Sequence, residues 1–381
     1  MLYDGVIDLV TLRGHDPYFS TMRILLVFFS LILLSLDGTA QIVPKQVYPA
    51  TYMCQRTVDQ IQIDGLNNEQ TWVKAHPLSE LVDIEGPDMP APTLNTRVQM
   101  AWDDDYLYVF VEMQEPHLWA TLENHDDIIW RDNDFELFFD PDMDTHNYME
   151  FEYNVFGTLL DLYLVKPYRD GGPMLIEWDV KGVRSAVHVY GTINDGTDQD
   201  RGWNLEVAIP FQALKTHKGA KNPEAGTRWM LNFSRVQWDL DWTGEEYVKR
   251  KDAEGHQLPE HNWVWSPQGL INMHYPEKWG FMKFSDEPVG EEAEFIGWVH
   301  ADASRIWLRE VYYGQRLYYA ENKKYASSLD EILQYHDAFQ GVMQWLDFVK
   351  TPTGYQCTIK LNQTTEKWAI DETGKTQLVE K

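Results

Sequence analysis

The stretch Trp130-Arg-Asp-Asn-Asp-Phe-Glu-Leu-Phe-Phe-Asp140, with the run Tyr148-Met-Glu-Phe-Glu-Tyr153 that follows it, decides the fold. Phe135, Leu137 and Phe139 recur at every second position with Glu136 between them, and Glu150 and Glu152 alternate with Met149 and Phe151. A period of two sends successive side chains to opposite faces of an extended chain, so both runs read as β-strands with one apolar and one carboxylate-bearing face. The plainest reading of the carboxylate face is solvation. Between the runs, Pro141 to Asn147 is a cluster of Pro, Asp and Asn that ends strands.

The same grammar repeats in both directions. Arg97–Trp102 and Leu107–Met113 flank Asp103-Asp104-Asp105 and read as a hairpin. Leu159–Val165, Val187–Ile193, Trp203–Ile209, Trp229–Val236 and Gly280–Phe284 add further strands, with one helical turn near Phe211–Leu214 after Pro210. The expected class is all-β, an antiparallel β-sandwich of jelly-roll or immunoglobulin-like type. After residue 286 the character changes. A Pro- and Gly-containing acidic stretch reads as a linker, Ala301–Asn322 has helical spacing, Ser328 with Glu331 caps a second helix, and Tyr355–Leu361 with Lys367–Ile370 form a hairpin. The expected partition is an upstream extension and signal peptide over residues 1–40, a sandwich over 41–286, a linker over 287–297 and a small α+β appendage over 298–381.

Composition narrows the partners. The 381-residue chain carries 60 acidic and 32 basic residues, a formal charge of −28, together with 16 Trp and 20 Tyr. That field repels phosphate backbones and anionic headgroups, so nucleic acid is a poor partner and neutral ligands or metal ions suit better. From Met22, the expected true start, Arg23 precedes the apolar run Ile24–Leu36 and the small residues Gly38-Thr39-Ala40. This is the pattern of a signal peptide, and it implies a secreted, periplasmic or cell-surface protein with no span in its mature form. Cys54 and Cys357 are too few for a disulfide framework and read as buried thiols or as a single bridge. Asp140, Asp142 and Asp144 set carboxylates at alternate positions of a loop, a donor set for a hard cation such as calcium, although the twelve-residue calcium loop is absent. Asp126, Asp127, Asp132 and Asp134 form a second acidic group.

Taken in order, Ile63-Asp64-Gly65 with Trp72, Trp102–Tyr108, Trp130–Asp140, Trp203–Pro210 and Trp265-Ser-Pro267 resemble a family 9 carbohydrate-binding module of the free-standing, secreted bacterial kind. The resemblance covers roughly residues 57 to 285. It implies a non-catalytic domain in which a sugar end stacks on aromatic rings and is hydrogen-bonded by polar side chains, in support of polysaccharide catabolism. Trp130 aligns with one stacking ring and Glu136 with the acidic hydrogen-bonding residue. Glu152 stands where the family has a basic contact. No Trp stands where the second ring falls, leaving His274, Tyr275 or Trp279 to serve. The implied ligand is a neutral oligo- or polysaccharide, the implied cofactor a structural Ca2+, and the implied partners glycoside hydrolases. Two alternatives stay open: a glycoside hydrolase using a carboxylate pair such as Glu136 and Glu152, and a b-type haem domain of the related DOMON-like sandwiches, with Met149, Met273 and His274 as candidate ligands.

Overall fold

The computed structural model describes residues 44–45, 47–215, 221–292, 299–362 and 364–380. The expected signal peptide, the upstream extension and residues 293–297 of the expected linker lie outside the described residues. The chain through residue 288 forms β1 (Thr51–Arg56), α1 (Gln70–Lys74), β2 (Val82–Asp83), β3 (Thr96–Trp102), β4 (Tyr106–Gln114), β5 (Asp134–Asp140), β6 (Tyr148–Asn154) and β7 (Leu159–Leu164). It continues with β8 (Met174–Leu175), β9 (Arg184–Tyr190), β10 (Gly202–Pro210), β11 (Arg228–Gln237), β12 (Leu240–Trp242), β13 (Tyr247–Lys249), β14 (His261–Val264) and β15 (Gly280–Pro288).

Hydrogen bonding runs in the order β8-β7-β6-β5-β11-β15-β1-β3-β4-β10-β9, with β14 beside β11 and β2 beside β14, while β12 and β13 pair as a separate hairpin. Neighbours are antiparallel except β1, which runs parallel to both β15 and β3. The two ends of this path face each other. Phe135, Leu137, Phe139, Phe151 and Phe233 from β5, β6 and β11 share one core with Val109, Val111, Leu205 and Val207 from β4 and β10. This is the all-β sandwich, closed by alternate residues that the period of two sends inward. The expected hairpin at Asp103 forms, with Asp103 Oδ1 accepting the backbone N–H groups of Asp105 and Tyr106, each at 2.8 Å. Cys54 and Cys357 are buried and unpaired.

The carboxylate-bearing face of β5 and β6 is covered. Every residue of β5 and of β6 is buried. Ile129, Ile84, Val264, Met273, Trp279 and Phe281 close over Phe138, Tyr148, Leu160 and Leu162 in a second apolar cluster on that side. Alternation read along one strand reports which face a residue takes, and says nothing of whether loops return to cover it.

After the sandwich come α2 (His300–Asn322), α3 (Leu329–Leu333) and β16 (Leu346–Lys350), β17 (Tyr355–Ile359), β18 (Lys367–Asp371) and β19 (Thr376–Glu380), the four strands forming one antiparallel sheet. The expected terminal hairpin is its central pair. Ser328 caps α3, its Oγ accepting the Glu331 N–H at 3.3 Å. Leu308, Val311, Tyr312 and Tyr313 pack with Cys357, Ile359 and Ile370, and also with Leu270 and Tyr275 of the sandwich. The described part of the expected linker is held down: the Val289 N–H bonds the Arg56 carbonyl at 2.9 Å, and the Gln55 side chain reaches the Glu291 carbonyl at 3.0 Å.

Candidate functional site

The site begins with a strand register. Glu136 lies opposite Glu152, and Phe138 opposite Glu150, across β5 and β6, while β11 sets Ser234 beside Glu136. Together with Asp134, these residues form an acidic strip at the base of the covered face. Asp134, Glu136, Glu150 and Glu152 are between 1% and 5% exposed. One carboxylate oxygen from each of Asp134, Glu136 and Glu152 lies within 4.8 Å of the others. Few donors reach them: Glu152 Oε2 accepts the Trp130 N–H at 2.9 Å, while Asp134 Oδ2 and Glu150 Oε2 have no hydrogen-bond partner. Burial pushes Glu136 up to about 7, helped by the charge of Glu260. Burial also raises Asp134, Glu150 and Glu152, each further raised by its neighbours' charges. Close, desolvated carboxyls of like charge hold protons between them near neutral pH, and a protonated carboxyl both donates and accepts hydrogen bonds.

An aromatic wall stands at one end of the strip. Ile129–Arg131 is a short 3-10 turn that leaves Trp130 half-buried. Its ring stacks on Trp238 with centroids 6.3 Å apart and planes 23° apart, and Trp238 Nε1 donates to the Trp130 carbonyl at 3.0 Å. Lys249 Nζ sits 3.3 Å from the Trp238 ring centroid, and burial brings its pKa down to about 8. Trp119, Val236 and Tyr247 complete the wall, with Leu240 and Trp242 against it. The loop at Gly196 approaches Trp242 so closely that a Cβ there would lie 2.2 Å from the ring, so glycine is required at that point. Trp119, Trp238 and Lys249 were not found from sequence, because Trp119 and Trp238 lie outside regular strands and β13, which carries Lys249, is three residues long, so none sits in a periodic run. The tryptophan pair Trp238 and Trp242, with Tyr247 close behind, was the available hint.

A family model described as "Carbohydrate family 9 binding domain-like" matches residues 63–267, more than half of the chain. The chain belongs to this family. Solved structures similar to the family 9 domain include a candidate carbohydrate-binding protein from Bacteroides uniformis, at 18% identity and TM-score 0.45, covering 62% of this chain and 99% of that one. They also include a family 9 carbohydrate-binding module from Caldicellulosiruptor kristjanssonii at 14% identity, covering 65% of this chain and 100% of that one. That module was solved with cellotriose, at TM-score 0.40, and with glucose, at 0.39. No curated protein matches the chain.

Four of the five expected sugar-contacting residues converge on the strip, His274 from beyond the stretch that the family model matches. Trp130 touches Glu152, Glu152 faces Glu136, and His274 approaches Glu150 at 4.0 Å from the other end. His274 Nδ1 is hydrogen-bonded to Tyr148 Oη at 2.9 Å, and burial, with the nearby Arg169 charge, holds the ring neutral at a pKa of about 3. Trp279 departs from expectation. Its ring is wholly buried between Phe138 and Tyr148, and its Nε1 donates to the Met273 carbonyl at 2.9 Å, so no face is open to a ligand. The haem alternative loses one candidate ligand: Met149 lies in the central core, whereas Met273 and His274 sit on the other side of β6.

The loop carboxylates also divide. Asp140, Asp142 and Asp144 keep one oxygen each within 4.8 Å of the others, and Asp140 Oδ1 is buried without a hydrogen-bond partner, a donor set that suits calcium. Lys375, from the turn between β18 and β19, already places Nζ 2.6 Å from Asp144 Oδ2. In the second group Asp132 accepts the Thr121 and Leu122 N–H groups, Asp127 accepts from Asn124, Asp134 joins the strip, and Asp126 turns toward His125.

Proposed function

We propose that the family 9 domain is a non-catalytic module holding a neutral sugar, stacked on Trp130 and hydrogen-bonded by the strip of Glu136 and Glu152, with His274 at the far edge. The observation that carries this reading is the half-buried Trp130 ring on a turn whose backbone N–H, that of Trp130, is bonded to a desolvated carboxyl ladder. A pyranose offers an apolar C–H face to a ring and a rim of hydroxyls that both donate and accept, and partly protonated carboxyls match that rim. The same reading places the protein outside the cytoplasm, where it delivers glycan to separate hydrolases, and assigns a structural calcium to Asp140, Asp142 and Asp144.

Tryptophan emission and calorimetry on the purified protein test it, with glucose and with cello- and xylo-oligosaccharides, each alongside its borohydride-reduced form. Saturable binding is expected, weakened about tenfold or more in Trp130→Ala, which is about 1.4 kcal/mol. Loss on reduction identifies recognition of the chain end. A folded protein silent toward the whole panel overturns the reading. Release of new reducing ends that disappears in Glu136→Gln moves it to the hydrolase alternative.

A further inference from the structure

The loop before Trp130 carries a second constellation that the sugar reading does not use. His125 Nδ1 lies 2.9 Å from the Leu159 carbonyl oxygen, which only accepts, so Nδ1 holds the hydrogen and a neutral ring turns a bare Nε2 outward. Three carboxylate oxygens gather around that nitrogen: Asp179 Oδ1 at 3.2 Å, Asp161 Oδ1 at 3.4 Å and Asp126 Oδ1 at 3.5 Å. The Asp161 side chain is 1% exposed. Its Oδ2 accepts the Val180 N–H, and its Oδ1 is buried without a hydrogen-bond partner, as is Asp126 Oδ1.

Protonating His125 does not satisfy this arrangement. An imidazolium presents one N–H at Nε2, which serves Asp179 and leaves the Asp126 and Asp161 oxygens facing it without a hydrogen. A cation can meet all of them together. We propose that His125 Nε2, Asp126 and Asp161 bind one divalent first-row transition-metal ion of the zinc class, with the exposed Asp179 or solvent at the fourth position. Ligands about 2.0–2.1 Å from a tetrahedral centre stand roughly 3.3 Å from one another; Nε2 lies 3.4 Å from Asp161 and 3.5 Å from Asp126, and one ligand atom from each of the three residues lies within 4.8 Å of the others. The imidazole selects zinc-like ions over calcium and magnesium, which take oxygen ligands. The Nδ1 bond to a backbone carbonyl is the outer contact that orients a metal-binding histidine. Such an ion ties the loop leading into Trp130 to the start of β7 and to the segment before Val180.

The test uses metal-stripped protein without a histidine tag, titrated with Co(II) and followed by its visible d–d absorption, then displaced with Zn(II). One equivalent per chain with a tetrahedral spectrum is expected, and His125→Ala and Asp161→Asn should weaken it about a hundredfold or more. His125 is half-exposed, so its variant should fold as the parent does, which circular dichroism checks. Glu136→Gln and Asp140→Asn should leave the titration unchanged. No stoichiometric Co(II) or Zn(II) binding, binding unaltered in His125→Ala, or an ion lost in Asp140→Asn instead each overturns the proposal.

Discussion

At the scale of single residues, two tryptophans that each belong to or follow a short 3-10 turn illustrate how context sorts chemically identical side chains. Trp130 is half-buried on a short turn, whereas Trp279 is wholly enclosed with its N–H bonded. Trp279→Ala is expected to cost about 3–5 kcal/mol in urea unfolding, as for other large aromatic truncations in cores, and Trp130→Ala clearly less, while sugar binding responds most to Trp130. Glu136 supports a pH test. Its pKa in the fold is about 7, above the ordinary carboxylate value, so the folded state binds more protons than the unfolded state between those values. The stabilisation is therefore fully present below about pH 4.5 and is lost as pH rises through 7. Comparing parent and Glu136→Gln by urea unfolding at pH 5 and 7.5 isolates this residue from buried histidines such as His146 and His274, whose lowered pKa values act in the opposite direction. The parent is expected to lose more stability than the variant over that interval, by up to the order of 3 kcal/mol. Equal slopes would show that Glu136 does not carry the shared proton.

At the scale of elements, α2 shows how a helix is fixed by charge as well as by its apolar stripe. Arg169, from the loop after β7, bonds Glu277 at 2.8 Å, and Tyr313 of α2 donates to the same carboxylate at 2.7 Å. Arg316 of α2 reaches Asp170 at 3.0 Å, and Asp302 pairs with Arg228 of β11 at 3.0 Å. Burial alone would raise the Glu277 pKa, yet the guanidinium groups of Arg169 and Arg309 hold it down to about 2. Arg169→Met leaves that carboxylate buried and uncompensated, which is expected to cost about 3–5 kcal/mol in denaturant melts. Replacing Arg169 and Glu277 together with apolar residues should recover much of the loss. The helix itself was legible from the spacing of Ile306, Val311 and Leu317, and the cap of α3 from Ser328 and Glu331. The outer strands β16 and β19 were not, because most of their positions are exposed at sheet edges, which leaves little apolar-polar alternation to read.

At the scale of the whole molecule, the C-terminal elements and the sandwich share buried surface and buried charge. Leu270 and Tyr275 lie in the same cluster as Tyr312, Ile359 and Ile370, and Lys375 reaches back to Asp144. A chain ending after Gly290 is therefore expected to be poorly soluble or to melt well below the parent, since it uncovers that apolar patch and strands Arg169 and Glu277. Soluble yield and a circular-dichroism melt read this directly. A truncated chain as stable as the parent would mean that the shared cluster contributes little.

The alternation of Phe135, Leu137 and Phe139 with Glu136 and the turn at Asp103 were enough to read a β-sandwich, because period and turn chemistry are local properties of the chain, and the order of the tryptophan-bearing motifs carried the resemblance to family 9 carbohydrate-binding modules. Only the tertiary structure decided that Glu136, Glu150 and Glu152 are desolvated rather than washed by solvent. It also decided that Trp238 and Lys249 join Trp130, that Trp279 is core, and that His125 meets Asp161 and Asp179. Those outcomes depend on which loops return over which face, from positions tens of residues away. Burial, pKa and ligand geometry are set by that return and not by neighbours along the strand.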